Sequence, residues 1–145
     1  MNPRSEKIFE DAGSRIVLEL RTPQLIVTRA TGAARRAMID FYLREFMPFA
    51  AAATRKIDVF HDWADVVSFE PAARQTFMKW GEERRELNRK LMRGVHVLAG
   101  STMVFLALAA ARTLYGAQLE VYRLRPTWDS ALRDAERSPS SDPPR

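Results

Sequence analysis

The chain has 145 residues, of which 46% are hydrophobic and 28% are charged, so its composition is that of one folded domain and excludes a wholly disordered chain. It contains no cysteine and two histidines, which excludes disulfide frameworks, cysteine nucleophiles and histidine-rich metal sites. Its 23 lysines and arginines against 18 aspartates and glutamates give a net charge of +5, a modest surplus that is spread along the chain.

The first fourteen residues are mostly polar. We expect a flexible lead-in over residues 1–14, or a short helix between Glu6 and Ala12. No continuous apolar stretch follows the N-terminus, so we predict no secretory signal and expect a cytoplasmic protein of bacterial type.

Strand and helix patterns alternate along the rest of the chain. Runs rich in β-branched and apolar residues predict five strands, at residues 16–20, 24–29, 56–62, 95–99 and 118–122. Runs with helical spacing predict four helices, from about residue 33 to Pro48 and over residues 70–91, 102–115 and 128–136. Strands separated by helices are typical of a parallel sheet, and the short turn at Pro23 predicts an antiparallel hairpin at its start.

One segment, residues 94–111, carries no charged side chain and lies between Arg93 and Arg112. Its length is at the lower limit for a membrane span. We expect instead a buried strand over residues 95–99, a turn with a helix cap at residues 100–102, and then a buried helix. The sequence therefore predicts no membrane span.

The last eight residues, 138–145, are rich in serine and proline and contain no aliphatic or aromatic residue. This composition predicts a disordered tail. The folded part is therefore expected over residues 15–137, as a single α/β domain with a mostly parallel five-stranded sheet, an N-terminal antiparallel hairpin and about four flanking helices.

This order of elements resembles the STAS-like fold of anti-anti-sigma factors, in its SpoIIAA-like branch. The resemblance covers residues 16–132 and depends on the opening hairpin, on Ile-Asp-Val-Phe-His-Asp at residues 57–62 and on Phe-Glu-Pro-Ala-Ala-Arg-Gln-Thr-Phe at residues 69–77. The runs at residues 95–98 and 118–122 also match in place. The resemblance implies a non-enzymatic α/β module that binds a protein partner or a small ligand.

Ser68 is the serine nearest to the phosphorylated serine of that family, which lies in an Asp-Ser-Ser-Gly-like motif at the start of the helix after the third strand. The acidic neighbour and the glycine of the motif are absent here. Ser68 is thus a candidate switch residue by resemblance, and a candidate N-cap of the following helix by its position before Glu70 and Pro71.

The densest polar cluster is Asp58, His61, Asp62 and Asp65, at the end of the third predicted strand. Asp62 and Asp65 are expected at the carboxyl edge of the sheet, where they could hold a hard cation or cap a loop. Asp58 and His61 are three residues apart on a strand and therefore point to opposite faces. His96 could approach His61 from the neighbouring strand, or it could be a hydrogen-bonded core residue.

Nucleotide-binding glycine loops, the nucleophile elbow of hydrolases and the zinc-protease helix motif are absent from the sequence. We therefore predict no catalytic residues, no cofactor and no metal site. Basic residues are interspersed with acidic ones and form no stripe with interleaved aromatic residues, so no nucleic-acid partner is predicted.

The first predicted helix carries more aromatic residues than one buried stripe needs. Ile39, Leu43 and Phe46 should face the sheet, so Phe41 is expected to point away from it. Together with Phe49 it could form an apolar patch, and we predict a homodimer through these two residues.

The sequence favours a regulatory or adaptor module that acts through protein–protein interaction, with Ser68, Asp62, Asp65, Phe41 and Phe49 as candidate partner or switch positions. The alternative is a domain that binds a small apolar ligand or a lipid, because the SpoIIAA-like branch resembles lipid-transfer CRAL-TRIO folds in topology. A metal-dependent enzyme using Asp62 and Asp65 is a third, weaker hypothesis.

Overall fold

The computed structural model describes residues 5–115 and 118–144. Residues 1–4 of the expected lead-in and Arg145 of the expected tail lie outside this range. Within it, six strands form one sheet in the order β1-β2-β3-β4-β5-β6. The strands are β1 Ser5–Asp11, β2 Ser14–Thr22, β3 Leu25–Ala34, β4 Ile57–Phe69, β5 Met92–Ala99 and β6 Leu119–Tyr122. The helices are α1 Arg36–Ala52, α2 Pro71–Glu83, α3 Arg85–Leu91, α4 Thr102–Tyr115 and α5 Arg125–Arg137.

The sheet is mixed, as the sequence predicts. Strands β1, β2 and β3 pair antiparallel, and β3, β4, β5 and β6 pair parallel. The predicted single α/β domain is confirmed, with six strands in place of five and five helices in place of four. The extra helix arises because the run expected over residues 70–91 breaks at Arg84, which separates α2 from α3.

Strand β1 replaces the flexible lead-in expected from the sequence. Ser5–Asp11 pairs with β2 along its whole length, from Ser5 opposite Leu20 to Asp11 opposite Ser14. The two-residue turn between them has positive φ at Ala12 (40°) and at Gly13 (80°), the combination that suits a tight hairpin. The polar composition of these residues comes from an edge strand that is exposed at every position but Phe9, and not from disorder.

The helices divide between the two faces of the sheet. On one face α1, α2 and α4 form the main core with β2 to β6, around side chains that are fully buried, which include Ile16, Ile26, Ile39, Phe46, Val59 and Leu108. On the other face α5 covers a smaller cluster, in which Trp128 packs against Leu25, Val27, Phe60 and Leu98. The face beneath α5 is therefore covered over only part of its width.

The segment after α5 is held against the domain, contrary to the disordered tail expected from composition. Ser140 is buried, and its carbonyl oxygen accepts a hydrogen bond from Gln24 Nε2. The backbone N–H of Lys56 donates to the Asp142 carbonyl at 2.8 Å. These contacts are polar and made largely by the backbone, so the absence of apolar side chains does not prevent docking.

The charge-free segment at residues 94–111 is divided between β5 and α4, as expected. Across the described residues, every helix is too short or too polar to traverse a lipid bilayer.

Candidate functional site

His61 lies inside the main core, on the face that α1 covers. Its Nδ1 is hydrogen-bonded to Thr28 Oγ1 at 2.6 Å, and its ring meets the Tyr42 ring edge-on at 5.1 Å between centroids. Burial lowers the pKa of His61 to about 3 and raises that of Tyr42. His61 is therefore neutral at physiological pH and has no route to solvent, which suits a core residue and not a proton-transfer group.

Asp62 and Asp65 lie within β4 and not at its carboxyl end as expected, because β4 continues to Phe69; Asp62 lies opposite Leu98, near the end of β5, and arginines lie beside both carboxylates. The Asp62 carboxylate accepts two hydrogen bonds from Arg125, at 3.0 and 3.1 Å, which tie the start of α5 to β4. It also accepts the backbone N–H of Ala64 at 3.3 Å, and since both residues belong to β4 this contact is not the loop cap expected of Asp62. Asp65 is exposed and lies 3.8 Å from Arg29. Among the described residues, no three histidine, aspartate or glutamate side chains are arranged to hold a metal ion.

Asp58 points to the α5 face and His61 to the opposite face, as their spacing predicts. Buried Asp58 accepts two hydrogen bonds from Arg93, at 2.6 and 3.1 Å. His96 also lies on the α5 face, stacked on Phe60 at 4.2 Å, so the suggested approach of His96 to His61 is wrong. The alternative is correct, because His96 Nδ1 is hydrogen-bonded to the Tyr122 hydroxyl at 2.8 Å.

Ser68 is not the N-cap of the following helix. It belongs to β4, where it is exposed and pairs with Ala33 of β3, and the N-cap residue of α2 is Glu70. Strand β4 extends seven residues beyond Asp62, over a stretch that reads as a loop in the sequence. Ser68 is thus open to solvent on a strand, and its role as a phosphorylated switch stays a prediction.

Phe41 is covered, contrary to the exposed position expected from the helix pattern. It is 9% exposed and packs on Phe9 of β1, with ring centroids 5.5 Å apart. Phe49 is partly buried against the main core. The side of α1 that was expected to be exposed to solvent is covered by β1, a strand that the sequence pattern does not predict. Phe41 offers little surface to a second subunit, and the homodimer stays a prediction without this support.

Two of the large apolar side chains exposed in the described residues lie together on α4; the others lie on β1, β4 and α3 and just before α5. Met103 is 76% exposed and Leu106 is 57% exposed, and Ala109 and Ala110 beside them are also exposed. We call these four residues the α4 face. Val104, Leu108 and Ala111 on the other side of the helix are buried in the core. The helix expected to be buried is therefore buried on one side only.

A shallow cleft of about 150 Å³ between α2 and α4 continues this surface. We call it the α2–α4 cleft; its lining residues are Phe69, Arg74, Phe77, Met78, Ala107, Ala110 and Ala111. Ala110 belongs to both surfaces and makes them continuous. Arg74, the one charged lining residue, is exposed and forms no ion pair within residues 5–115 and 118–144.

Sequence reasoning missed the α4 face because a uniformly apolar helix has no polar stripe to mark a solvent side. The available signal was the segment itself: ten consecutive residues, 102–111, without a charge in a chain that is 28% charged. An exposed and continuous apolar surface of this kind is typical of an interaction site.

Comparison with known proteins supports the fold. No protein-family model matches the sequence, and no curated protein matches it. A solved structure that is similar is that of an uncharacterized protein of the DUF3478 family with a SpoIIAA-like fold, from Shewanella loihica PV-4. It aligns with 91% of this chain and 97% of its own, with a TM-score of 0.57 and 11% sequence identity. The resemblance predicted from the order of elements is thus confirmed at the level of the fold: this chain adopts a SpoIIAA-like α/β fold.

Proposed function

We propose that this protein is a non-enzymatic regulatory or adaptor module that binds a protein partner through the α4 face and the α2–α4 cleft. The observation that carries the proposal is the exposure of Met103 and Leu106 on the part of α4, residues 102–111, that carries no charged side chain. Exposed side chains of this size on one helix face, beside an apolar cleft, match the way amphipathic helices are recognised.

The state of the polar residues supports a role without catalysis. His61 is buried and neutral, and the carboxylates of Asp58 and Asp62 are each held by an arginine. Active sites instead bring together titratable groups that are free to exchange protons or to bind substrate. In this chain the polar groups tie β4 to its neighbours, which gives the interaction surface a rigid support.

Arg74 indicates the chemistry of the partner. Its charge lies at the edge of the apolar cleft, and no carboxylate among the described residues forms an ion pair with it. A partner that inserts apolar side chains into the cleft and places an acidic residue over Arg74 would satisfy both features. We therefore propose an amphipathic segment with an apolar face and an acidic edge.

The test compares two substitutions of exposed apolar residues. Leu106→Glu places a charge in the α4 face, and the control Ile8→Glu places one on β1, at the opposite edge of the sheet, where Ile8 is 52% exposed. Partners captured from cells by the wild type are purified and titrated against both variants. We expect Leu106→Glu to weaken binding about tenfold or more and Ile8→Glu to leave it unchanged.

Equal affinity of a purified partner for the wild type and Leu106→Glu would contradict the proposed surface. Equal melting temperatures for the wild type and Leu106→Glu would show that the change acts on binding and not on folding. Arg74→Gln should give a smaller loss that depends on ionic strength, since a rim charge acts mainly through long-range attraction.

A further inference from the structure

A second arginine without a carboxylate partner, Arg123, borders the α4 face. It follows β6, is exposed, and forms no ion pair in the described part of the chain. Its guanidinium carbon lies 5.2 Å from the centre of the Phe105 ring, and its Nη1 donates to Thr102 Oγ1 at 3.4 Å. These two contacts hold the charge of Arg123 beside the first turn of α4.

Arg123 and Arg74 lie on opposite flanks of α4. Arg123 packs on Phe105, whereas Arg74 lines the α2–α4 cleft together with Ala107. Positions 105 and 107 are about 200° apart around a helix that turns by about 100° per residue, and Leu106 lies between them. The exposed side chain of Leu106 is therefore flanked by one positive charge on each side.

The two charges also lie at different levels along α4. Arg123 bonds to Thr102, and Arg74 shares its cleft with Ala110, which is about 12 Å further along the helix axis. Because a helix with its side chains is about 10–12 Å wide, the line from Arg123 to Arg74 crosses the α4 face diagonally and spans about 15 Å.

The α4 face suits a helical partner better than an extended one. The backbone N–H and C=O groups of α4 are paired within the helix, so they are not available to a strand that adds to this surface. A helix satisfies its own backbone groups and binds through its side chains alone.

The direction of the diagonal also matches helix–helix packing. Two helices that interlock along their i, i+4 rows cross at about 50°. The line from Arg123 to Arg74 is inclined to the α4 axis by about this angle, in the same direction as the row formed by Thr102, Leu106 and Ala110. A helix that packs on this row therefore passes over both arginines.

We propose that the partner of the α4 face is a helix that crosses α4 over Leu106 and places one acidic residue on Arg74 and another on Arg123. This inference rests on the proposed function and specifies the partner. At 1.5 Å per residue, a span of about 15 Å corresponds to acidic residues about ten positions apart on one face of the partner helix. An extended segment would cover the same span in about five residues.

Designed peptides test this spacing directly. Two stapled helical peptides of the same composition carry the same stripe of leucines and two glutamates. The glutamates are about three turns apart in the spaced peptide and adjacent at one end in the clustered peptide. In fluorescence anisotropy with the full chain, the spaced peptide should bind about three- to fivefold more tightly, because the clustered peptide reaches one arginine only. Equal binding of the two peptides, or binding of neither, would overturn the inference.

Substitutions of the two arginines assign the preference to the α4 face. Arg74→Gln and Arg123→Gln should each make the two peptides bind equally, since one charge then remains. The matched control is Arg133→Gln on α5, on the other face of the sheet, because Arg133 is also exposed and has no ion pair in the described residues. It should keep the preference. A preference that survives in Arg74→Gln or Arg123→Gln would refute the crossing.

Exchange of charges gives a positive result that general loss of affinity cannot imitate. Arg123→Glu should bind the spaced peptide more weakly, and replacing one of the two glutamates by lysine should restore its affinity. The end of the peptide at which the lysine acts then gives the direction of the partner helix. Failure of the lysine at both ends would contradict the assigned contact with Arg123.

This inference and the proposed function fail in different ways. Equal binding of the two peptides, while Leu106→Glu still weakens binding of a purified partner, would reject the helical crossing and leave the α4 face as the binding site. Equal affinity of a purified partner for the wild type and Leu106→Glu would contradict the proposed function, and the crossing with it.

Discussion

The buried histidine in the core makes the stability of this protein depend on pH. In the folded state the pKa of His61 is about 3, because burial disfavours the imidazolium, whereas the ordinary value is 6.5. The unfolded chain therefore binds a proton on His61 between these two values, and the folded chain does not. Since the unfolded state binds more protons, the free energy of unfolding falls as the pH is lowered from about 7 towards 3.

The expected size of this effect follows from the two pKa values. At about pH 5 the solution lies about 1.5 pH units below the ordinary pKa of His61. Protonation of His61 then stabilises the unfolded state by about 1.4 kcal/mol for each of these units. The free energy of unfolding should thus be about 2 kcal/mol lower at about pH 5 than at about pH 7.5. That is a large fraction of the stability of an ordinary domain.

Urea unfolding followed by tryptophan fluorescence at the two pH values measures this difference. His61→Gln cannot be protonated and should lose most of the pH dependence, whatever its absolute stability. The matched control is His96→Gln, because the chain has two histidines and burial lowers the pKa of His96 also. His96→Gln should keep most of the wild-type dependence. If His61→Gln and the wild type changed equally with pH, the burial and neutrality of His61 would be refuted.

Three further predictions concern elements whose structure departs from the sequence pattern. Deleting residues 138–145 should lower the melting temperature by about 4–8 °C, because the hydrogen bonds to the Ser140 and Asp142 carbonyls are lost; no change would show that the segment is undocked. Phe41→Ala should destabilise the domain by about 3 kcal/mol in urea unfolding, whereas a ring free in solution would cost almost nothing. Ser68→Ala should change stability by less than about 0.5 kcal/mol, and a loss of about 1 kcal/mol would restore its role as a helix cap.

The alternation of strands and helices predicted the sheet because each strand from β2 to β6 carries the β-branched, aliphatic or aromatic residues that the core requires. Strand β1 was not predicted because its residues are mostly exposed and polar. Phe9 is its main contribution to the core. Edge strands commonly carry charges that discourage pairing with other chains, and this makes them resemble loops in sequence. The prediction that Phe41 is exposed was wrong for the same reason, because β1 covers its ring.

The sequence identifies the polar residues of β4, but it does not identify the residues that bind them. Asp62 lies opposite the end of β5, yet its partner Arg125 is 63 residues away and no spacing in the sequence links them. Asn88 is flanked by charged residues of α3 and reads as part of a solvated face. Its burial depends on how α3 turns after the break at Arg84, which is decided by the packing of α3 on α4 and β5 and not by local pattern.

Site-specific photo-crosslinking in cells tests the central claim, binding of a protein partner through α4, most directly. A photoreactive phenylalanine analogue at position 106 should give one discrete adduct with a protein of fixed mass, and the same group at position 8 should give none. Absence of any adduct at position 106, or the same adducts at both positions, would contradict the account. An adduct of twice the 16.6 kDa chain mass would also contradict it, because the occupant would then be a second copy of this chain.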